Sequence, residues 1–307
     1  MTEPDPISTA VSVVIPHYGD PAPTTTLVGQ LRTQQGAPTL QILVVDDATP
    51  ADVSQLAPLE GATVIRRERN GGFGAAVNTG IADAVHDTLL VLNSDLSIGP
   101  TFVADLLAAA APWWPAVVAP EVTDRSGHPD PTARRFPRIS HQVVEWLTPL
   151  SRWRETDAWH RGVGHDLRVL RHDTDPGGGQ TPTITDWLVG AVLLMPTAYV
   201  RAVGGFDERF YMNSEEIDLQ RRLRARGLPS VFVPTVSVMH TGGGSSDPQR
   251  RRQWLVDSRL AYAGKWGGRR RLQTALAGAT AANLAWNTGR RVARRELRPW
   301  ATARSEW

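Results

Sequence analysis

Apolar residues in the first 120 positions come as short dense runs, and each run stops at a polar or acidic cluster. Residues 11–16, VSVVIP, are β-branched and closed by proline, the pattern of a buried strand. A polar turn leads to a helical stretch around 25–34, and a second apolar run, 40–45, ends in Asp46 and Asp47. A third strand, 62–66, enters Asn70-Gly71-Gly72-Phe73-Gly74 and a helix through about residue 84. Residues 88–92 form another strand that ends at Asn93-Ser94-Asp95, before a helix at 101–111 and a strand near 116–119. Strands alternating with helices predict an α/β fold, a mostly parallel central sheet flanked by helices. Ligands of such sheets sit beyond the carboxyl ends of the strands. Both acidic clusters fall there.

Residues 121–185 are less regular, with Pro, Gly and His among tryptophans, and 175–179 (DPGGG) reads as a flexible loop. Regular pattern returns at 187–196. A helix is expected at 215–226, closed by Gly227, then strands at 230–233 and 236–240. From residue 249 onward the pattern is helical and basic. The chain therefore divides into a domain of residues 1–245, with a regular half (about 11–120) and a less regular half (about 121–245), and a basic helical C-terminal extension, 246–307.

Composition narrows the chemistry. The 307 residues contain no cysteine, which removes disulfides, zinc–thiolate sites and a cysteine nucleophile. The 33 basic and 31 acidic residues nearly cancel, but the positive charge is almost all arginine and gathers toward the C-terminus. The opening residues lack a basic n-region, and no apolar run approaches the roughly 20 residues of a membrane span. The expected location is the cytoplasm.

A diphosphate leaving group needs its charge neutralised, and Mg²⁺ or Mn²⁺ held by one or two carboxylates plus phosphate oxygens does this. Asp95, at a strand end, is placed for that task. Asp47 is placed to accept a hydrogen bond from the N–H of a uracil or thymine ring. A turn or helix-cap role is the competing reading for either residue. The stretch NGGFGAAVNTG (70–80) is a glycine-rich turn opening a helix, but Val77 stands where a dinucleotide fingerprint has its third glycine. Acid concentrates at 204–219, where Glu215, Glu216 and Asp218 cannot all share one helix face. One or two should face a site, where crowding raises a carboxylate toward a working proton acceptor; the alternative is a solvated helix N-terminus. His240 closes an apolar strand ahead of a Gly/Ser loop (241–246) able to wrap phosphate.

Taken together, VSVVIPHYGD (11–20), ILVVDDATP (42–50), RNGGFGAAVNTGI (69–81), LLVLNSDLSI (89–98), TARRFP (132–137), the run 186–227 and VMHTGGGS (238–245) resemble family 2 glycosyltransferases of the GT-A fold, especially rhamnosyltransferase-like members. The resemblance implies that about 11–120 is a nucleotide-binding half and about 121–245 an acceptor-side half, that Pro16, Tyr18 and Asp47 line the base pocket and that Asp46 supports that turn. Gly72, Phe73, Gly74 and Asn78 match the turn beside the nucleotide, with Ser94 next to the donor. Asp95 matches the last acid of the DXD-type motif, with Asn93 at its first position, and His240 matches the histidine near metal and diphosphate. Trp187, Gly190, Ala191 and Glu215 match the region where donor sugar and acceptor meet. The family usually carries Glu-Asp followed two residues later by Asp; here Glu216 takes the place of the base, with Asp218 in reserve. The implied reaction is a single inverting displacement. The donor it favours is dTDP-L-rhamnose, with UDP-galactofuranose or UDP-glucose as alternatives, and the acceptor is a glycan or a polyprenyl-diphosphate-linked sugar of cell-envelope polysaccharide synthesis.

The arginines between 264 and 307 flank an apolar, alanine-rich stretch. That pattern fits docking on the anionic inner face of the plasma membrane; a solvated helix is the plainer reading. Nucleic-acid binding lacks an interleaved aromatic platform. A non-catalytic sugar-nucleotide-binding protein on the same fold would be expected to lack the acidic pair or the metal-site Asp, and both are present.

Overall fold

Strand β1 (Ala10–His17) lies at the centre of a parallel group, paired with β2 (Thr39–Asp46) on one side and β4 (Thr88–Leu92) on the other, with β3 (Ala62–Arg66) beyond β2. The computed structural model of the protein describes residue 7 and residues 10–56, 59–170, 181–242 and 248–293. Helix α1 (Pro21–Arg32) connects β1 to β2, and α2 (Phe73–Asp83) connects β3 to β4. After β4 come the short β5 (Leu96–Ser97), α3 (Phe102–Ala110) and β6 (Val117–Thr123).

Alternation along β1 sorts its side chains between two cores. Val11, Val13 and Ile15 pack with Leu27, Val28 and Leu31 of α1 and with Phe102 and Leu106 of α3. Val14 faces the other way, toward Ala76, Val77 and Ile81 of α2. Gly80 permits that approach, since a Cβ there would come within 2.5 Å of Val14 Cγ1.

The expected irregularity of 121–185 resolves into β7 (Ala133–Arg134), α4 (Ile139–Trp146), α5 (Asp157–Val163), α6 (Leu167–Leu170) and β8 (Thr183–Thr185). The glycine-rich 175–179 lies outside the described residues. Next come β9 (Trp187–Leu188), β10 (Val192–Pro196), α7 (Thr197–Ala202), α8 (Glu215–Arg224) and β11 (Ser230–His240). β10 inserts antiparallel between β4 and β6, and β11 pairs parallel with β6, giving the sheet order β3-β2-β1-β4-β10-β6-β11-β5. Two strands were expected at 230–240, but there is one. Pro234 is absorbed by a register shift between Val233 and Ser237, a place where a ladder tolerates a missing N–H.

The basic extension folds back on the segment 121–245. Helices α9 (Pro248–Trp266) and α10 (Arg269–Ala293) enclose Trp146 of α4 with Val256, Ala263, Leu272 and Leu276. The arginines at 294, 295, 298 and 304, on which the membrane expectation partly rests, lie outside the described residues.

Candidate active site

The carboxyl ends of β1 and β2 carry the first cluster. Asp47 is buried; its carboxylate accepts from Gly72 N–H at 2.7 Å and from Gly71 N–H at 3.0 Å, and it pairs with Arg67. Asp46 accepts from Thr49 N–H at 3.1 Å and from Arg66 at 2.6 Å. Both acids therefore fix turns. Tyr18 stands exposed and Pro16 half-buried at the same edge. Gly72 has φ +86, and a Cβ there would lie 1.8 Å from the carbonyl oxygen of Tyr211. Only glycine fits, for both reasons. Behind it Phe73 meets Phe206 edge-on at 5.8 Å, and a Cβ on Gly74 would sit 3.0 Å from the Cβ of Phe206. Asn78, assigned to the nucleotide turn by resemblance, is engaged with the backbone of Phe206.

The second cluster lies at the end of β4. Asn93 N–H donates to Ala191 O at 2.9 Å, which seats the 93–95 turn against the loop before β10. Ser94 is half-buried in that turn. His240 Nε2 lies 3.0 Å from Asp95 Oδ1, while Thr241 N–H and Oγ1–H donate to Asp95 O at 2.9 and 2.7 Å. The bond to Asp95 raises the imidazole pKa of His240, against the opposing effect of burial. Of the Gly/Ser loop after it, residues 243–246 lie outside the described residues.

Gly190 joins these clusters to the acids of α8. A Cβ built on it would be 3.5 Å from Glu216 Cβ and 3.8 Å from the Phe73 ring. Asp47 through Gly72 and Phe73, Asp95 through Asn93 and Ala191, and Glu216 through Gly190 thus border one continuous set of contacts.

Asn213 and Ser214 both have φ +69, an unfavourable backbone for residues with side chains, and they aim the first turn of α8. Glu215 is buried with Oε2 unpartnered; burial first, and then the charge of Glu216, lift its pKa well above the carboxylate range. Glu216 is half-buried, its Oε2 likewise has no hydrogen-bond partner, and burial raises its pKa while the charge of Arg134 pulls it down. Asp218, held in reserve as a base, is differently placed. It is fully buried and takes donors from Arg222 Nε at 2.8 Å, Lys265 Nζ at 2.7 Å and Trp266 Nε1 at 2.8 Å. With those donors in place it locks α9 to α8 and has no oxygen free for an acceptor proton.

A cavity of about 350 Å³ opens beside Glu216, walled by Arg134, His141, Trp187, Arg259 and Tyr262. Trp187 is buried, donates from Nε1 to Arg135 O at 2.9 Å, and carries the Arg134 guanidinium 5.6 Å from its ring centre. Neither Arg134 nor Arg259 is among the site residues expected from the sequence. The doubled arginine of TARRFP was a visible signal for the first; nothing local marks Arg259 among its neighbours.

The model of the family described as glycosyl transferase family 2 matches residues 12–167, half of the chain. The chain belongs to glycosyl transferase family 2. Within that family it is 33% identical over 210 residues to N-acetylglucosaminyl-diphospho-decaprenol L-rhamnosyltransferase of Mycobacterium tuberculosis, covering 63% of this chain and 62% of that relative's length. It is 27% identical over 237 residues to the pre-mycofactocin glycosyltransferase of the same organism, 75% of this chain and 42% of the other. Among solved structures, GalNAc-T7 with UDP, GalNAc and Mn²⁺ superposes with a TM-score of 0.55 at 16% identity, covering 82% of this chain and 48% of that one. Staphylococcus aureus TarS gives 0.51 at 14% identity, covering 90% and 43%. These likenesses establish the GT-A fold, which the sequence reading expected of this family 2 glycosyltransferase.

Proposed function

We propose that this glycosyltransferase moves L-rhamnose from dTDP-L-rhamnose, with inversion, to a polyprenyl-diphosphate-linked sugar. The observation that carries the reading is the unpartnered Glu216 carboxylate oxygen beside Gly190, one loop away from the Asp95–His240 pair. The donor and acceptor classes are supported by the 33% identical mycobacterial relative.

Glu216 removes the proton of the acceptor hydroxyl, its pKa set above that of an ordinary glutamate by burial. The acceptor oxygen then attacks the anomeric carbon as the nucleoside diphosphate departs, and a single displacement inverts that centre. Gly190 leaves room for the sugar against Glu216. Asp47 and Gly72 hold the turn that borders the nucleotide.

The donor set at the β4 edge fits a divalent cation. Asp95 and His240 offer a carboxylate oxygen and an imidazole nitrogen 3.0 Å apart, and no group of three or more potential ligands occurs among the described residues. The remaining ligands would be diphosphate oxygens and water, as suits Mg²⁺ or Mn²⁺. When bound, the ion would neutralise charge on the leaving diphosphate. Among the described residues no helix is long and apolar enough to cross a membrane. Access to a lipid-linked acceptor at the inner face of the membrane is assigned to the basic C-terminal helices.

The test is a donor panel (dTDP-L-rhamnose, UDP-galactofuranose and UDP-glucose) with a prenyl-diphosphate N-acetylglucosamine acceptor, with Mn²⁺ or with EDTA, scored by nucleoside diphosphate release. Release from dTDP-L-rhamnose that EDTA abolishes is expected. Release only from a UDP sugar would reject the donor, and release from none would reject transfer.

A further inference from the structure

The cavity beside Glu216 contains more positive charge than its own acids satisfy. Arg259 of α9 is 8% exposed and lines the cavity. Its Nη2 pairs with Glu145, but its Nη1 is buried without any hydrogen-bond partner. A buried guanidinium nitrogen left unpaired is costly. Arg134 enters from β7, donates from Nε to Pro131 O at 3.0 Å, and stacks on Trp187. Burial disfavours its charge, and the nearby charge of Arg259 adds to that, while Glu145, Glu216 and Asp130 oppose it. The two cations therefore face a common space from different elements.

That space is distinct from the donor side. Asp47, Gly72, Asp95 and His240 do not line the cavity, whereas Glu216 does. Its volume of about 350 Å³ falls in the range of small-molecule sites. Arginine presents paired N–H donors that match phosphate oxygens.

We propose that this cavity is the acceptor subsite and that Arg259 and Arg134 bind the diphosphate of a lipid-linked acceptor, presenting its sugar hydroxyl to Glu216. The proposal rests on the glycosyltransferase reading and adds to it the residues that recognise the acceptor. It also gives α9 a direct part in the site: the basic extension supplies one of the two guanidiniums.

The probe is farnesyl diphosphate, titrated calorimetrically into the full chain, with dTDP and Mn²⁺ titrated separately. Loss of one charged hydrogen-bond donor should weaken farnesyl diphosphate by about tenfold or more in Arg259→Gln and in Arg134→Gln. Arg259→Lys should retain part of the affinity, and dTDP affinity should stay within about twofold throughout, on the order of the scatter expected when no contact is lost. Farnesyl diphosphate binding that is absent from the wild type, or equal in wild type and both glutamine variants, overturns the proposal. A parallel loss of dTDP binding in the variants also overturns it, since the arginines would then serve the fold or the donor. The readout is binding, so the result holds whichever sugar is transferred, and an enzyme inert toward the donor panel still answers it.

Discussion

Asn78 of α2 and Phe206, in the loop before α8, exchange two hydrogen bonds: Asn78 Nδ2–H donates to Phe206 O and Phe206 N–H donates to Asn78 Oδ1, each at 2.8 Å. The side-chain amide acts as a missing strand partner. Gln220 does the same for Leu188, at 2.8 and 2.7 Å. Together they tie the loop before α8 to α2 and α8 itself to β9. Asn78→Asp keeps the shape but removes the donor and sets a carboxylate against a carbonyl and against Glu208. Urea denaturation should show a loss of about 2–3 kcal/mol, and an unchanged midpoint would show that the loop is held by other contacts.

Gly72→Ala should be far more damaging than its size suggests. The added methyl would strike the carbonyl oxygen of Tyr211 at 1.8 Å, on a backbone with φ +86. We expect a loss above about 3 kcal/mol, or no soluble protein. Gly278 in α10 is the control, exposed and with nothing within 4 Å of an added methyl. There alanine should stabilise by about 0.5–1 kcal/mol, read from paired thermal melts.

The strands were legible because dense β-branched runs closed by proline or acids leave little else for the chain to do. Residues 62–66 and 88–92 form strands with the expected ends. Residues 230–240 form one strand where two were expected, because Pro234 falls at a register shift, which local pattern does not reveal. Glu216 and Asp218 could not be separated by type or spacing. What separates them is the arrival of Lys265 and Trp266 from a helix 47 and 48 residues away in sequence. The approach of His240 to Asp95, 145 residues apart, depends on the pairing of β11 with β5, which no local pattern encodes. Resemblance supplied that pair; it could not supply Arg259, whose place follows from how α9 and α10 pack on Trp146.

Glu216 and Asp218 should therefore fail differently when neutralised. Glu216→Gln should reduce kcat by about 10²–10⁴-fold, with dTDP binding and thermal midpoint close to wild type, because its Oε2 has no partner to lose. Asp218→Asn leaves Arg222 and Lys265 without their buried anion and should cost about 3–5 kcal/mol. Its activity should fall with its folded fraction. A stable Asp218→Asn protein with normal dTDP affinity and a collapsed kcat would transfer the role of base to Asp218.

Arg134 gives the acid side of the pH profile a sign that can be checked. The base works deprotonated, so kcat/KM is full above the pKa of Glu216 and is lost as pH falls through it. Burial raises that pKa, so the limb should lie above the ordinary glutamate value of about 4.3. Arg134 acts in the opposite direction, its positive charge favouring the carboxylate. Removing the charge in Arg134→Gln should move the limb to higher pH, while Arg134→Lys, which keeps it, should leave the limb near its wild-type position. The comparison uses kcat/KM for the acceptor at saturating donor across pH, so a uniform loss of acceptor affinity lowers the whole curve without moving its midpoint. A limb that stays fixed in Arg134→Gln would assign it to a group other than Glu216.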